Sequence, residues 1–270
     1  MPPQTTTVRP DMNTPRPAWR MPAPRDVIVE GHRIRYFEQG DGTPLVLVHG
    51  FSGSAQFEWG RVIDTLARRH RVIALQCIGF APSAQPDITY STATLVRHLG
   101  AFFAALDLTN ITLLGESFGG WLVTSYAVAA AQTGSSLPPI ARLVIVGGAI
   151  GKITMPKPEA QGFYHAEVAQ EVEAMMLVEP QYDNDGTRAA ILRDSGLVKA
   201  ELDDAAIAQI RVPTLLIWGD RDELIALEKG EAAARAIPGA RLVVLQDIGH
   251  IPSVECPADF ARLVEEFASA

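Results

Sequence analysis

Apolar residues in this chain fall into short unbroken runs, separated by longer stretches in which they recur at helical spacing. Leu45–Val48, Arg71–Gln76, Ile111–Leu114, Leu143–Val146, Pro213–Trp218 and Leu242–Leu245 are the runs. A continuous apolar run this short reads as a strand covered on both faces. Between the runs, Phe57–His70, Leu95–Leu106 and Trp121–Ala131 carry apolar residues every three or four positions, as does the closing stretch Pro257–Ala268. These are expected helices. Ahead of the first run, Asp26–Glu30 and Arg33–Phe37 flank Gly31, which predicts a hairpin. Strands alternating with helices imply right-handed crossovers and a mostly parallel sheet with helices on both faces. In such α/β sheets ligands bind at the carboxyl ends of the strands.

Two segments break this rhythm. Residues 150–210 hold apolar and aromatic side chains without strand character, with helices expected over Glu167–Val178 and Thr187–Arg193. An irregular helical insertion there would sit over the strand ends as a lid. Residues 1–24 are rich in Pro, Thr and Arg and are expected to form a loosely ordered arm, with Trp19 as its anchor. The core is then 25–149 together with 211–270.

Composition narrows the function. With 270 residues, 47% apolar and 20% charged, the chain suits one large globular domain. A net charge of −8 without a basic cluster argues against nucleic acid and against an anionic membrane surface. No stretch is apolar and long enough to span a membrane, and the N-terminus lacks the apolar core of a secretory signal. Cys77 and Cys256 are far apart and outside any metal-like spacing. Two isolated thiols suit a reducing compartment, so a cytoplasmic location is expected. The partner expected is a small-molecule substrate. No cofactor and no metal are expected, and a homo-oligomer is left open.

The chemistry centres on Gly115-Glu116-Ser117-Phe118-Gly119, placed between the Ile111–Leu114 run and a helix. A strand that turns directly into a helix must bend sharply, and glycines on both sides permit it. The bend presents Ser117 at the strand end and leaves the Phe118 amide unpaired at a helix start, where negative charge is favoured. A serine hydroxyl is a poor nucleophile without a base. His250 is the best candidate base, in the loop Asp247-Ile248-Gly249-His250-Ile251-Pro252 after the last strand. His32, His70 and His98 are expected at the surface, and His49 is expected to brace its own loop. The acid that orients the base comes from Gly219-Asp220-Arg221-Asp222. Asp222 is preferred over Asp220 because three residues past Gly219 allow it to reach back over the sheet edge. The order Ser117, Asp222, His250 is the Ser…Asp…His order of one fold. For the oxyanion, the expected donors are the amides of Phe118 and Phe51, with Ser52 in reserve. Ser52, Met175, Met176 and Ile251 are expected to touch substrate.

On these motifs, together with His49-Gly50, Val212-Pro213-Thr214-Leu215-Leu216-Ile217-Trp218-Gly219 and the stretch from Gly249-His250 to Glu255 and Pro257, the chain resembles the α/β-hydrolase superfamily over residues 26–268. The resemblance implies a mostly parallel eight-stranded sheet flanked by helices, with a small helical lid. Ser117 sets the chain apart from members with an aspartate nucleophile, the dehalogenases and epoxide hydrolases. The Phe51 loop, Gly79-Phe80 and Ser117-Phe118-Gly119-Gly120 are similar to small carboxylesterases and to meta-cleavage-product C–C hydrolases. An ester hydrolase is the main expectation and a C–C hydrolase the alternative. A ligand-binding protein without catalysis is a third reading. The C–C hydrolases usually carry Trp after the catalytic His and an Arg in the lid. Here Ile251 follows His250, and Arg188 or Arg193 would have to serve. The chain also departs from the family at Gln76, where an acid usually ties down the following loop, so an altered loop geometry is expected.

Overall fold

The computed structural model describes residues 4–51, 54–150, 184–197 and 202–270. Its centre is a nine-stranded sheet in the order β1-β9-β8-β7-β6-β4-β5-β3-β2. The strands are β1 (Gln4–Val8), β2 (Pro24–Val29), β3 (His32–Gln39), β4 (Pro44–Val48), β5 (Arg71–Leu75), β6 (Ile111–Glu116), β7 (Ile140–Val146), β8 (Thr214–Gly219) and β9 (Arg241–Leu245). All neighbours pair in parallel except β2 with β3 and β3 with β5.

The helices among the described residues are α1 (Ala55–Trp59), α2 (Ile63–Leu66), α3 (Thr92–Ala105), α4 (Phe118–Ala130), α5 (Asp185–Asp194), α6 (Asp204–Ile207), α7 (Leu227–Ala236), α8 (Pro252–Glu255) and α9 (Pro257–Ala268). The stretch expected as one helix over 57–70 is divided into α1 and α2, with Gly60 capping the first.

Alternation within each run explains the two apolar layers. In β4, Val46 and Val48 face the layer that contains α3, α4 and α7. Leu45 and Leu47 face the opposite layer, with α1, α2 and α9. Both sets are fully buried, so the strand has no polar face and its sequence shows no polar alternation.

The sheet has nine strands where eight were expected. The additional strand, β1, comes from the N-terminal arm and pairs with β9 in register Gln4↔Arg241 to Val8↔Leu245. Its sequence, Gln-Thr-Thr-Thr-Val, is almost wholly exposed. It is held by backbone bonds at a sheet edge rather than by apolar burial, so it leaves no hydrophobic signature. Beyond β1 the arm is fastened to the body. The Trp19 indole N–H donates to the Phe57 carbonyl (2.9 Å), its ring stacks with Phe57, and the Arg61 guanidinium lies 3.7 Å from its ring centre. Met12 and Met21 pack on the α9 side of the core.

No helix among the described residues is long and apolar enough to cross a membrane.

Candidate active site

Ser117 ends β6 and begins α4. Its backbone takes φ 57°, ψ −118°, a combination that costs a non-glycine residue energy and is kept where surrounding structure enforces it. The enforcement is visible at Gly119. A Cβ there would collide with the Val48 and His49 carbonyls, so α4 can start against the end of β4 only with glycine at that position. The elbow glycine therefore supplies close approach, while the serine itself takes the strained conformation. Gly50 repeats the pattern from the other side, since a Cβ on it would come 3.1 Å from the Ser117 Cβ. The loop after β4 is thereby pressed against the serine.

From the end of β9 the chain returns over the sheet, and His250 Nε2 comes 2.9 Å from Ser117 Oγ. His250 Nδ1 lies 2.8 Å from Asp222 Oδ2. The other oxygen, Oδ1, accepts from the Leu224 and Ile225 amides (2.9 and 2.8 Å), which holds the carboxylate in one orientation. Asp222 and His250 are buried. Asp220 goes elsewhere: it accepts from the Asp247 amide (2.7 Å) at the surface. The structure thus joins Ser117, His250 and Asp222 in one hydrogen-bonded line and leaves Asp220 out of it. A serine, an imidazole and a fixed carboxylate in this order can pass a proton from the hydroxyl to the ring while the acid stabilises the imidazolium.

The Phe118 amide is at the first position of α4, where no intrahelical acceptor exists. Phe51 is set beside it, with ring centres 5.6 Å apart. Phe80 packs on both rings, and Trp121 stacks on Phe118. An aromatic wall therefore borders the serine. Ile251, an expected substrate contact, is buried in a small cluster with Phe57 and Val254, against which Met12 and Trp19 of the arm pack. Ser52, Met175 and Met176 lie outside the described residues.

His49 braces its loop, as its position predicts. Its Nδ1 bonds the Gly50 carbonyl (2.7 Å), and its Nε2 accepts from the Cys77 amide (3.0 Å). Complete burial lowers its pKa to about 4, which favours the neutral ring that this pattern requires. Gln76 does the tying expected of an acid, using both ends of its amide. Its oxygen accepts from the Ala55 amide (3.0 Å) and its nitrogen donates to the Ala81 carbonyl (2.8 Å). A carboxylate could make only the first of these bonds. His70 and His98, expected at the surface, are buried. His98 is on the buried side of α3, and His70 closes the turn between α2 and β5; a lone histidine does not reveal which side it faces.

Sequence reasoning missed three buried glutamates around the site: Glu58 in α1, Glu116 directly before Ser117, and Glu255 in α8. A single glutamate reads as solvated because its charge favours water, and the contacts that bury these three come from elsewhere in the chain. Among the described residues, no group of three or more His, Cys, Asp or Glu is placed to hold a metal ion.

Helix α5 carries Arg188 and Arg193. It is docked through Asn184, whose side-chain oxygen accepts from the Ala81 amide (2.8 Å). Arg193 pairs with its neighbour Asp194 at the surface. Arg188 pairs with Asp185 (3.5 Å), and its charge adds in a small way to the lowering of the His49 pKa by burial.

A strained serine between strand and helix, a histidine after the last strand and an aspartate after the strand before it are the marks of a hydrolase on this fold. The chain belongs to the alpha/beta hydrolase family, whose model matches residues 45–263. It is 27% identical to a 2-hydroxy-6-oxo-6-(2'-aminophenyl)hexa-2,4-dienoic acid hydrolase of Metapseudomonas resinovorans, covering 91% of this chain and 90% of that one. It is 29% identical to a 2-hydroxymuconate semialdehyde hydrolase of Pseudomonas putida, covering 90% and 93%. Among solved structures it is similar to the esterase RhEst1 of a Rhodococcus species, with a TM-score of 0.65 and 26% identity over 92% of this chain and 98% of that one.

Proposed function

We propose that this hydrolase cleaves carboxylic esters of small, mostly apolar substrates through an acyl-enzyme. The observation that carries this reading is the line Ser117 Oγ–His250 Nε2–Asp222 at 2.9 and 2.8 Å. Ser117 attacks the carbonyl carbon while His250 takes its proton. Asp222 stabilises the resulting imidazolium. The amides of Phe118 and Phe51 receive the oxyanion. His250 then returns the proton to the leaving oxygen, and water, activated by the same ring, releases the acid. Phe51, Phe80 and Phe118 favour an apolar group beside the carbonyl. The lid expected over residues 150–210 falls largely outside the described residues, and this chemistry needs no cofactor.

A second reading, cleavage of a carbon–carbon bond in a meta-cleavage product, is supported by Arg188 and by the two relatives named above, one of them a dienoic acid hydrolase. A cation at the site edge suits a substrate bearing a carboxylate. Ile251 in place of Trp after the histidine weighs against it.

The test compares wild type with Ser117→Ala on a p-nitrophenyl ester series and on a 2-hydroxy-6-oxo-dienoate. Ester turnover lost in the variant, with the dienoate untouched, is the expected result. Faster turnover of the dienoate than of any ester would replace the ester reading with the C–C one. Turnover of neither would refute both.

A further inference from the structure

Glu116 and Ser253 form a second connection between the serine and histidine segments, independent of the one through the reacting atoms. Glu116 directly precedes Ser117, and Ser253 stands three residues after His250. Ser253 Oγ donates to Glu116 Oε2 at 2.5 Å, and the Ser253 amide lies 3.5 Å from Oε1. Both residues have no measurable exposure. The chain therefore closes a small ring: Ser117 to His250 by their side chains, His250 to Ser253 by backbone, Ser253 to Glu116 by hydrogen bond, and Glu116 back to Ser117.

We propose that Glu116 is a positioning residue that sets the distance between Ser117 and His250 by gripping Ser253. The proposal rests on the reading that Ser117 is the nucleophile and His250 its base.

The two other buried glutamates fix the remaining sides of the same frame. Glu255 accepts from the amides on either side of His250, Gly249 (2.9 Å) and Ile251 (3.0 Å). Glu58 accepts from the Gly50 amide, 2.7 Å from each of its oxygens. The strand end, the histidine loop and the loop after β4 are thus each held by a carboxyl group, and Glu116 joins the segment of the nucleophile to the segment of the base.

The surroundings act on the Glu116 carboxyl. Burial comes first, and the charges of Glu58 from α1 and Glu255 from α8 add to it, in pushing its pKa well above the ordinary carboxylate range. Hydrogen bonds from Ser253 oppose this without reversing it. An acceptor for the Ser253 hydroxyl is what the position needs, and glutamine supplies one of nearly the same shape.

The experiment measures how fast a fluorophosphonate probe labels Ser117, which reports activation of the serine without a known substrate. Wild type, Ser117→Ala, Glu116→Ala, Glu116→Gln and Ser253→Ala are compared, with kcat and KM on a p-nitrophenyl ester in parallel. Labelling of wild type that is absent in Ser117→Ala establishes the nucleophile, so failure of the underlying reading shows here first. Glu116→Ala and Ser253→Ala should then label about 10- to 100-fold more slowly, the cost of a small misplacement, with kcat falling and KM steady. Glu116→Gln should stay near wild type. Wild-type labelling by Ser253→Ala, or a Glu116→Gln variant as slow as Glu116→Ala, would overturn the proposal. Ser253→Ala carries the test if Glu116→Ala does not fold.

Discussion

Asp222 gives one oxygen to His250 at 2.8 Å and the other to two backbone amides, while Asp220, two residues earlier, bonds only the Asp247 amide among its backbone partners described above. The two acids are thereby assigned to different work. Asp222→Asn should lower kcat by about 10⁴, since the amide favours the wrong ring tautomer. Asp220→Asn should leave kcat within about threefold, because a surface substitution away from the site is nearly neutral. Steady-state kinetics on one ester separates the two, and a crippled Asp220→Asn beside an active Asp222→Asn would reverse the assignment.

Ser117 and His250 share a single proton transfer. Ser117→Ala and His250→Ala should each reduce kcat by about 10⁶, and the double variant should lose little more. Additive losses in the double variant would show that the two act separately.

Acid sensitivity should come from buried histidines. Burial lowers the pKa of both His49 and His98 from 6.5 to about 4. Between those values the unfolded chain binds more protons than the folded one, so stability rises with pH in this window. The contribution is complete above pH 6.5 and is lost as the pH falls toward 4. Glu116 runs the other way, because its raised pKa stabilises the fold at low pH. His98→Gln removes one ring from α3 without touching the site. Its Tm should therefore fall less steeply than that of wild type between pH 6.5 and 4, and equal slopes would show that His98 does not contribute.

Trp19 connects the arm to α1 by a hydrogen bond, a stacked ring and a cation. Trp19→Ala should destabilise the protein by about 2 kcal/mol, below the cost of truncating a fully buried aromatic because Trp19 is only half-buried. Trp19→Phe should recover part of this, lacking the N–H and the second ring. Denaturant titration measures both, and unchanged stability of Trp19→Ala would mean that the arm does not support the body.

The parts of this molecule that were readable in advance are those written in local pattern. The runs at Leu45–Val48 and Ile111–Leu114 announce covered strands because both faces are apolar. Ser117, His250 and Asp222 are legible because each follows a strand, and a parallel sheet gathers strand ends in one place. What escaped notice depends on contacts distant in sequence. Glu58, Glu116 and Glu255 are ordinary glutamates until folding surrounds them, and nothing local in Trp19 or Met12 shows that the arm packs on the cluster holding Ile251. Gln76 looked like a loss, yet an amide that both donates and accepts ties its loop by a different route. Helix α7 went unread because its Lys, Glu and Ala residues give it only a narrow apolar edge, at Ala233 and Ala234.

The pairing of β1 with β9 has a consequence for how the molecule is made. Translation makes β1, residues 4–8, well before its partner at residues 241–245. The strand must wait, polar and without that partner, until residues 241–245 have been made. Its threonines suit that wait, since a sticky apolar segment left free for so long would invite association with other chains. Its pairing with β9 then ties two segments distant in sequence into one sheet.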